Sequence, residues 1–280
     1  MITFHTIDET RRWINGHRTA GMRLGFVPTM GALHDGHLEL VRRSVTENDF
    51  TAASIFVNPI QFNNPDDLKK YPRTLEADQQ LLQQTGCDLV FAPSAKEMYP
   101  SPATVKYDFG GLEKVMEGAS RPGHFNGVAI VVKKLFDIIT PDRAYFGEKD
   151  FQQLRIIQAL VEMENIPVEI ITVPTMREAD GLAMSSRNRR LTKAERAIAP
   201  EIYQVLLEIR RNAGKMSIPE IREHAVSRLE KNGFVCDYVE IAAAFSLRPL
   251  ESWDEKIPAR AFVACYLGNV RLIDNLEIIY

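Results

Sequence analysis

Two histidines lie three residues apart in the stretch Phe26-Val27-Pro28-Thr29-Met30-Gly31-Ala32-Leu33-His34-Asp35-Gly36-His37. The apolar residues ahead of them read as a short strand running into a turn, and the residues after them as a helix. Both imidazoles then share one side of a helix start, where backbone N–H groups and the helix dipole favour anions. An imidazolium, or a neutral ring donating its N–H, stabilises charge developing on phosphate oxygens. Gly31-x-x-x-x-Gly36 has the spacing of a Walker loop, but His37 stands where its lysine belongs and Leu38 where its hydroxyl belongs. No cysteine neighbours the pair to complete a zinc site. A triphosphate suits this arrangement better than a metal, and a solvated helix start is the plainer reading that the spacing also allows.

Three further groups could act with the pair. Lys149 and Gln153 follow Gly147-Glu148 at another strand-to-helix junction and are four residues apart, the spacing of one helix face. A lysine aimed at phosphate beside an amide aimed at a second ligand would hold two reactants side by side, whereas a lone lysine is more often a surface residue. Gln61 carries an amide able to bind a hydroxy acid through both its hydroxyl and its carboxylate. Met184-Ser185-Ser186-Arg187 offers two hydroxyls and a guanidinium, either a phosphate clamp or a serine-capped linker. Arg121 and His124 fit a loop held by local hydrogen bonds as well as they fit a site.

Such groups need a scaffold that gathers the loops following its strands. Strand and helix patterns alternate through roughly the first 175 residues, as in βαβ units around a parallel sheet. Strands are expected at 24–27, 52–57, 88–92, 144–146 and 168–173, and helices at 36–47, 75–85, 127–139 and 149–164. In the last helix Leu154, Ile157, Leu160 and Val161 have the spacing of a buried face. The polar connection 58–74 leaves a strand carboxyl end, the edge where open α/β sheets bind ligands. Beyond Pro174 the pattern changes. A turn at Asp180-Gly181 precedes helices at 193–213 and 219–231, the second with Pro219 in its first turn. Short strands at 235–241, 261–267 and 270–273 complete a smaller α+β domain, with the boundary near residue 175.

The composition is that of an ordinary globular chain: 280 residues, 45% hydrophobic and 25% charged. A net charge of −3 supplies no basic face for nucleic acid. Cys87, Cys236 and Cys265 are odd in number and far apart, which points to a reducing cytoplasm rather than a disulfide framework. Thr6-Ile7-Asp8-Glu9 reads as a capping box opening a helix, not as part of a signal sequence. The apolar run 128–132 stops at Lys133-Lys134, and no membrane span is expected.

His34-Asp35-Gly36-His37 matches the His-x-Gly-His signature of the HIGH nucleotidyltransferase superfamily. With Pro28-Thr29-Met30-Gly31-Ala32-Leu33 ahead of it, the string resembles the pantothenate synthetases, AMP-forming ligases that join pantoate to β-alanine. Phe56-Val57-Asn58-Pro59-Ile60-Gln61-Phe62, Tyr71-Pro72-Arg73-Thr74, Arg121-Pro122-Gly123-His124-Phe125, Tyr145-Phe146-Gly147-Glu148-Lys149-Asp150-Phe151-Gln152-Gln153 and Asp180-Gly181-Leu182-Ala183-Met184-Ser185-Ser186-Arg187-Asn188 resemble that family's motifs in the family's order. Past Asn188 the likeness thins to Arg271-Leu272-Ile273-Asp274-Asn275. Asn126 departs from the basic residue that many relatives carry after the His-Phe pair.

The resemblance implies a Rossmann-like α/β domain over 1–175 that binds ATP and pantoate, and a smaller α+β lid domain over 176–280. It implies ATP as substrate with Mg2+, and a pantoyl adenylate as intermediate. His37, His34 and Lys149 would be catalytic, with His37 either a proton donor or an electrostatic stabiliser. ATP would meet Met30, Gly31, Ala32, Leu33, His34, Asp35, Gly36, His37, Gly147, Glu148, Lys149 and Asp150. It would also meet Met176, through a backbone contact to adenine, and Met184, Ser185, Ser186 and Arg187, the loop closing over the triphosphate. Pantoate would meet Gln61 and Gln153, and β-alanine Gln61, with Asn58 shaping the same floor. The implied partners are these small molecules and a second copy of the chain, with neither nucleic acid nor membrane.

Overall fold

Strands covered by helices on both faces must be apolar on both faces. Leu24, Phe26, Val27, Ala52 and Ala53 meet that demand and are fully buried. The computed structural model describes residues 1–63, 68–69 and 71–279. Residues 64–67 and 70 of the expected 58–74 connection lie outside the described residues. The chain divides into two compact units. One comprises Met1–Phe109, Arg121–Glu148 and Gln153–Pro174, and the other Gly110–Ser120, Lys149–Gln152 and Thr175–Tyr280.

The first unit holds strands β1 (Ile2–Phe4), β2 (Leu24–Thr29), β3 (Phe50–Ile55), β4 (Leu89–Phe91), β5 (Arg143–Gly147) and β6 (Glu169–Val173). They form one parallel sheet in the order β1-β4-β3-β2-β5-β6. Helices α1 (Ile7–His17), α2 (Asp35–Glu47), α3 (Leu75–Gln84) and α4 (His124–Ile139) connect them, and α5 (Phe151–Met163) leads to β6. Strand order reverses between β2 and β5, and such sheets bind ligands beside the carboxyl ends at that switch point. The architecture is the expected Rossmann-like one. Val27, Leu33, Leu38, Val41, Val90 and Tyr145 are among the residues that pack together as the core between α2 and the sheet.

The second unit is built on an antiparallel sheet, β7 (Val235–Ala243), β8 (Ala259–Leu267) and β9 (Val270–Ile278), in that order. Helices α6 (Lys193–Ile198), α7 (Glu201–Asn212) and α8 (Ile218–Lys231) precede it. Side chains alternate faces along a strand. Ala259, Ala261, Val263 and Cys265 of β8 accordingly join the core with Val205, Leu206 and Ile209 of α7 and Ile221 and Leu229 of α8. Phe262, between them in sequence, packs instead with Leu112, Met116 and Phe151. Among the described residues no helix is long and apolar enough to cross a membrane.

Several details depart from the sequence expectations: β3 starts and ends two residues early, and β9 runs to Ile278 where 273 was expected. β1 is a short edge strand defined by its pairing with β4, too brief to show a period. The expected helix 193–213 breaks into α6 and α7 at Pro200, which has no N–H to continue the first helix. α4 opens at His124, three residues early. The expected helix 149–164 starts only at Phe151, because Glu148–Asp150 forms a 3-10 turn, so no single α-helical face carries both Lys149 and Gln153. Thr6 does cap α1, accepting the Glu9 N–H at 3.3 Å and donating its hydroxyl to the Glu9 carboxylate at 2.5 Å.

Gly25 lies where α2 crosses β2. A Cβ there would come within 2.1 Å of Ser44 Oγ and 2.5 Å of Asn48 Nδ2. Both side chains are held, Ser44 by the Thr51 hydroxyl and Asn48 by the Tyr145 hydroxyl, each at 2.8 Å. Gly25→Ala is therefore expected to cost about 1–3 kcal/mol as overpacking. Urea denaturation reads it, and an unchanged midpoint would contradict the close approach.

Candidate active site

β2 ends at Thr29, and the chain turns at once through Gly31 and Ala32, whose φ angles are +78° and +52°. A left-handed conformation is unfavourable for alanine and persists only when its surroundings impose it. Asp78 of α3 imposes it here. Its carboxylate accepts the Ala32 N–H at 2.9 Å, the Leu33 N–H at 2.8 Å and the Thr74 hydroxyl at 3.1 Å. Thr29 closes the other side, accepting the Gly31 N–H at 3.2 Å and donating to the Ser54 carbonyl at 2.7 Å. The turn's two central N–H groups are thus committed to a protein carboxylate.

The chain leaves the turn into α2 with His34 as N-cap residue in extended conformation. The first turn is closed by the His37 N–H donating to the His34 carbonyl at 2.8 Å. The imidazoles of His34 and His37 lie with ring centroids 4.0 Å apart, both half-buried. The expected juxtaposition of the pair at a helix start is therefore present.

Gln61 sits on the 3-10 turn Pro59–Gln61 that follows β3, and is buried. Asn58 donates to Gln61 Oε1 at 3.2 Å and to the Gly127 carbonyl at 3.0 Å, while Tyr99 donates its hydroxyl to Asn58 Oδ1 at 3.0 Å. Burial pushes the Tyr99 phenol up, so it stays a donor. With Oε1 turned to Asn58, the Gln61 Nε2 faces Met30 Sδ at 2.9 Å. A thioether is a weak acceptor, so the amide gives up little in exchanging it for a carboxylate or hydroxyl. His124 places the main chain beneath, its Nδ1 2.8 Å from the Gln61 carbonyl. Gly127 is required at this crossing, because a Cβ would meet Gln61 Cα and the Ile60 carbonyl at 2.8 Å each. Gln153, in the same unit, is half-buried.

In the second unit, Lys149 lies on the 3-10 turn with its side chain 17% exposed and its Nζ 3.6 Å from Asp150 Oδ1. Met176 and Met184 are joined by a main-chain hydrogen bond of 2.9 Å at the base of a narrow hairpin, in which Arg177 and Ala183 form an antiparallel bridge. Ser185 caps the following 3-10 turn, Ser186–Arg190, accepting the Arg187 N–H at 3.2 Å. Its capping role and its hydroxyl hydrogen are compatible, since a hydroxyl accepts and donates at once. Asn188 secures the turn by donating to the Ala183 carbonyl at 3.0 Å.

Sequence reasoning passed over Asp78 and offered His124 local hydrogen bonds, whereas its ring contacts the Gln61 carbonyl 63 residues away. Asp78 sits in a polar helix start among other carboxylates and amides, and only its burial, at 2% exposure, sets it apart. A buried N–H stripped of its acceptor costs about 1–3 kcal/mol. Asp78→Ala strips two, so it should lower the denaturation midpoint more than Glu76→Ala on the exposed side of the same helix. Equal midpoints would show that Asp78 does not hold the turn.

The sequence model of the family described as pantoate-beta-alanine ligase matches residues 2–277. A pantothenate synthetase of Bacteroides thetaiotaomicron is 47% identical over 278 residues, 99% of each chain. One of Pseudomonas fluorescens is 49% identical over 282 aligned positions, again 99% of each. Among solved structures, a pantothenate synthetase of Thermus thermophilus superimposes with a TM-score of 0.92 at 46% identity over the full length of both chains. The Francisella tularensis pantoate-beta-alanine ligase, complexed with beta-gamma ATP and beta-alanine, superimposes at 0.84 with 37% identity, covering 99% of this chain and 97% of its own. The chain belongs to the pantoate-beta-alanine ligase family.

Proposed function

We propose that this protein joins pantoate to β-alanine at the expense of ATP, through a pantoyl adenylate, releasing AMP and pyrophosphate. The observation that carries the reading is the Gln61 amide, oriented by Asn58 and laid against Met30 of the histidine turn. It sets a hydroxy-acid donor beside a helix start suited to phosphate. In the first step a pantoate carboxylate oxygen attacks the α-phosphorus, the bond to the β-phosphate oxygen breaks, and pyrophosphate leaves. In the second, the free amine of β-alanine attacks the acyl carbon, AMP leaves with the electrons of the acyl–oxygen bond, and the amine loses its proton.

The protein's work is positioning and charge neutralisation rather than covalent catalysis. Because Asp78 occupies the Ala32 and Leu33 N–H groups and the His34 carbonyl takes the His37 N–H, phosphate contacts at this turn fall to the imidazoles of His34 and His37 and to the N–H groups of Asp35 and Gly36. Lys149, Ser185, Ser186 and Arg187 supply the remaining cationic and hydroxyl donors, and Met176 meets adenine through its main chain. Gln61 and Gln153 hold pantoate, and Gln61 meets β-alanine in turn. Magnesium bound with the nucleotide would add charge neutralisation at the phosphates, and it would keep waters and phosphate ligands rather than an all-protein cage. We place the enzyme in the cytoplasm as a homodimer, a reading supported by its family and by free cysteines, of which Cys87 is buried with its thiol pushed up to about 12.

Pantoate-dependent exchange of labelled pyrophosphate into ATP without β-alanine, and an amide product once β-alanine is added, are the expected results. Exchange independent of pantoate, or transfer of AMP to a phosphate or alcohol, would overturn the reading. His37→Ala and Lys149→Ala should each slow single-turnover adenylation about 10²–10³-fold, the effect of losing one preorganised donor. Gln61→Ala should raise the KM for pantoate while leaving that for ATP in place. Wild-type adenylation by either of the first two variants, or equal losses for both substrates in the third, would remove those roles.

A further inference from the structure

Arg271-Leu272-Ile273-Asp274-Asn275 is the string singled out near the C-terminus that the reaction leaves unused. It lies in β9, where Asp274 is paired with Val263 and Asn275 with Phe262 of β8. Val263 belongs to the helix-covered core and Phe262 to the cluster on the opposite face, so these two consecutive side chains serve opposite sides of one sheet.

On the helix-covered side, buried Asp274 grips Arg177 with two oxygens at 2.6 and 3.0 Å. Arg177 also donates to the Gly181 carbonyl at 3.1 Å, and its guanidinium lies 3.9 Å from the Tyr203 ring centroid. Two bonds to the carboxylate, one to a main-chain carbonyl and a stacking face are used together, a geometry that lysine cannot reproduce. This clamp seizes the hairpin at Arg177, one residue from Met176 and opposite Ala183. On the other side, Asn275 Nδ2 donates to the Lys149 carbonyl at 2.8 Å. Arg260 holds the amide in that sense, donating to Asn275 Oδ1 at 2.5 Å while its guanidinium lies 3.9 Å from the Phe151 ring centroid.

We propose that Asp274 and Asn275 are positioning residues for adenylation: one strand step sets the Lys149 turn on one face of the sheet and the Met176–Ser185 hairpin on the other. The proposal rests on reading Lys149 and Ser185–Arg187 as phosphate-binding groups. A purely stabilising role is the weaker account, since buried ion pairs of this kind add little net stability. An amide that donates to the Lys149 carbonyl, with its orientation set by Arg260, is suited instead to fixing where Lys149 begins.

The test is a double-mutant cycle on the full chain, read by pantoate-dependent pyrophosphate exchange. Asn275→Ala and Asn275→Asp should each lower kcat about tenfold with the KM for pantoate unchanged. Asn275→Asp retains size and the Arg260 partner but loses the donor to Lys149, so it guards against a folding artefact of the alanine variant. In the Lys149→Ala background the same changes should have no further effect, because their path runs through Lys149. Tenfold losses in both backgrounds, or none in the wild-type background, would overturn the positioning role. A harmless Lys149→Ala would instead defeat the phosphate reading of Lys149 itself. Asp274→Asn should raise the KM for ATP more than that for pantoate, and an equal rise in both would remove it from the proposal.

Discussion

The two hydrogen bonds from the Ala32 and Leu33 N–H groups to Asp78 decide how the chain enters α2. A carboxylate can be buried when hydrogen bonds replace its lost hydration, and Asp78 has three donors to do so. Its cost is met by what it holds in place: a turn with alanine at φ +52°, a conformation worth about 1–3 kcal/mol of strain. The helix start beyond that turn carries both histidines. The Ala32 and Leu33 N–H groups are already occupied by Asp78, so the proposed function assigns phosphate to the imidazoles rather than to the turn.

The Gln61 turn uses the same economy of parts. Asn58 stands between β3 and the 3-10 turn, and its amide reads both the Gln61 side chain and the Gly127 carbonyl at the start of α4. Tyr99 fixes which end of that amide donates. A neutral amide has no charge to direct it, so its orientation depends wholly on such neighbours. Gly127 completes the arrangement by letting α4 approach the turn within the space a methyl group would need.

In the second unit, buried charges act as geometry. Arg271 grips Glu117 at 2.6 and 2.9 Å and reaches Asp237 at 2.7 Å, tying the segment Gly110–Ser120 to the sheet. Tyr238 donates to the same Glu117 at 2.9 Å, with its phenol pushed up by burial and by that carboxylate. Each face of the three-stranded sheet thus carries its own charged clasp, Arg177–Asp274 on one and Arg271–Glu117 on the other.

Much of this was legible in order along the chain. Apolar runs separated by amphipathic stretches announce a parallel sheet, because buried strands and half-buried helices have different periods. The His34-x-x-His37 spacing and the run of motifs from Gln61 to Arg187 identify the family, since they lie in continuous strings. Pro200 was legible as well and was passed over. The start of α5 was not legible, because a 3-10 turn and an α-helical turn place similar demands on Glu148-Lys149-Asp150. What the sequence determined by itself was therefore local: the elements, the donor types and their spacing. What only the tertiary structure decided was which donors are already spent and which way the neutral ones face. Asp78 is 46 residues from Ala32 and Asn275 is 126 from Lys149. A hydrogen bond of about 3 Å between such positions exists only after the sheet has closed the intervening chain.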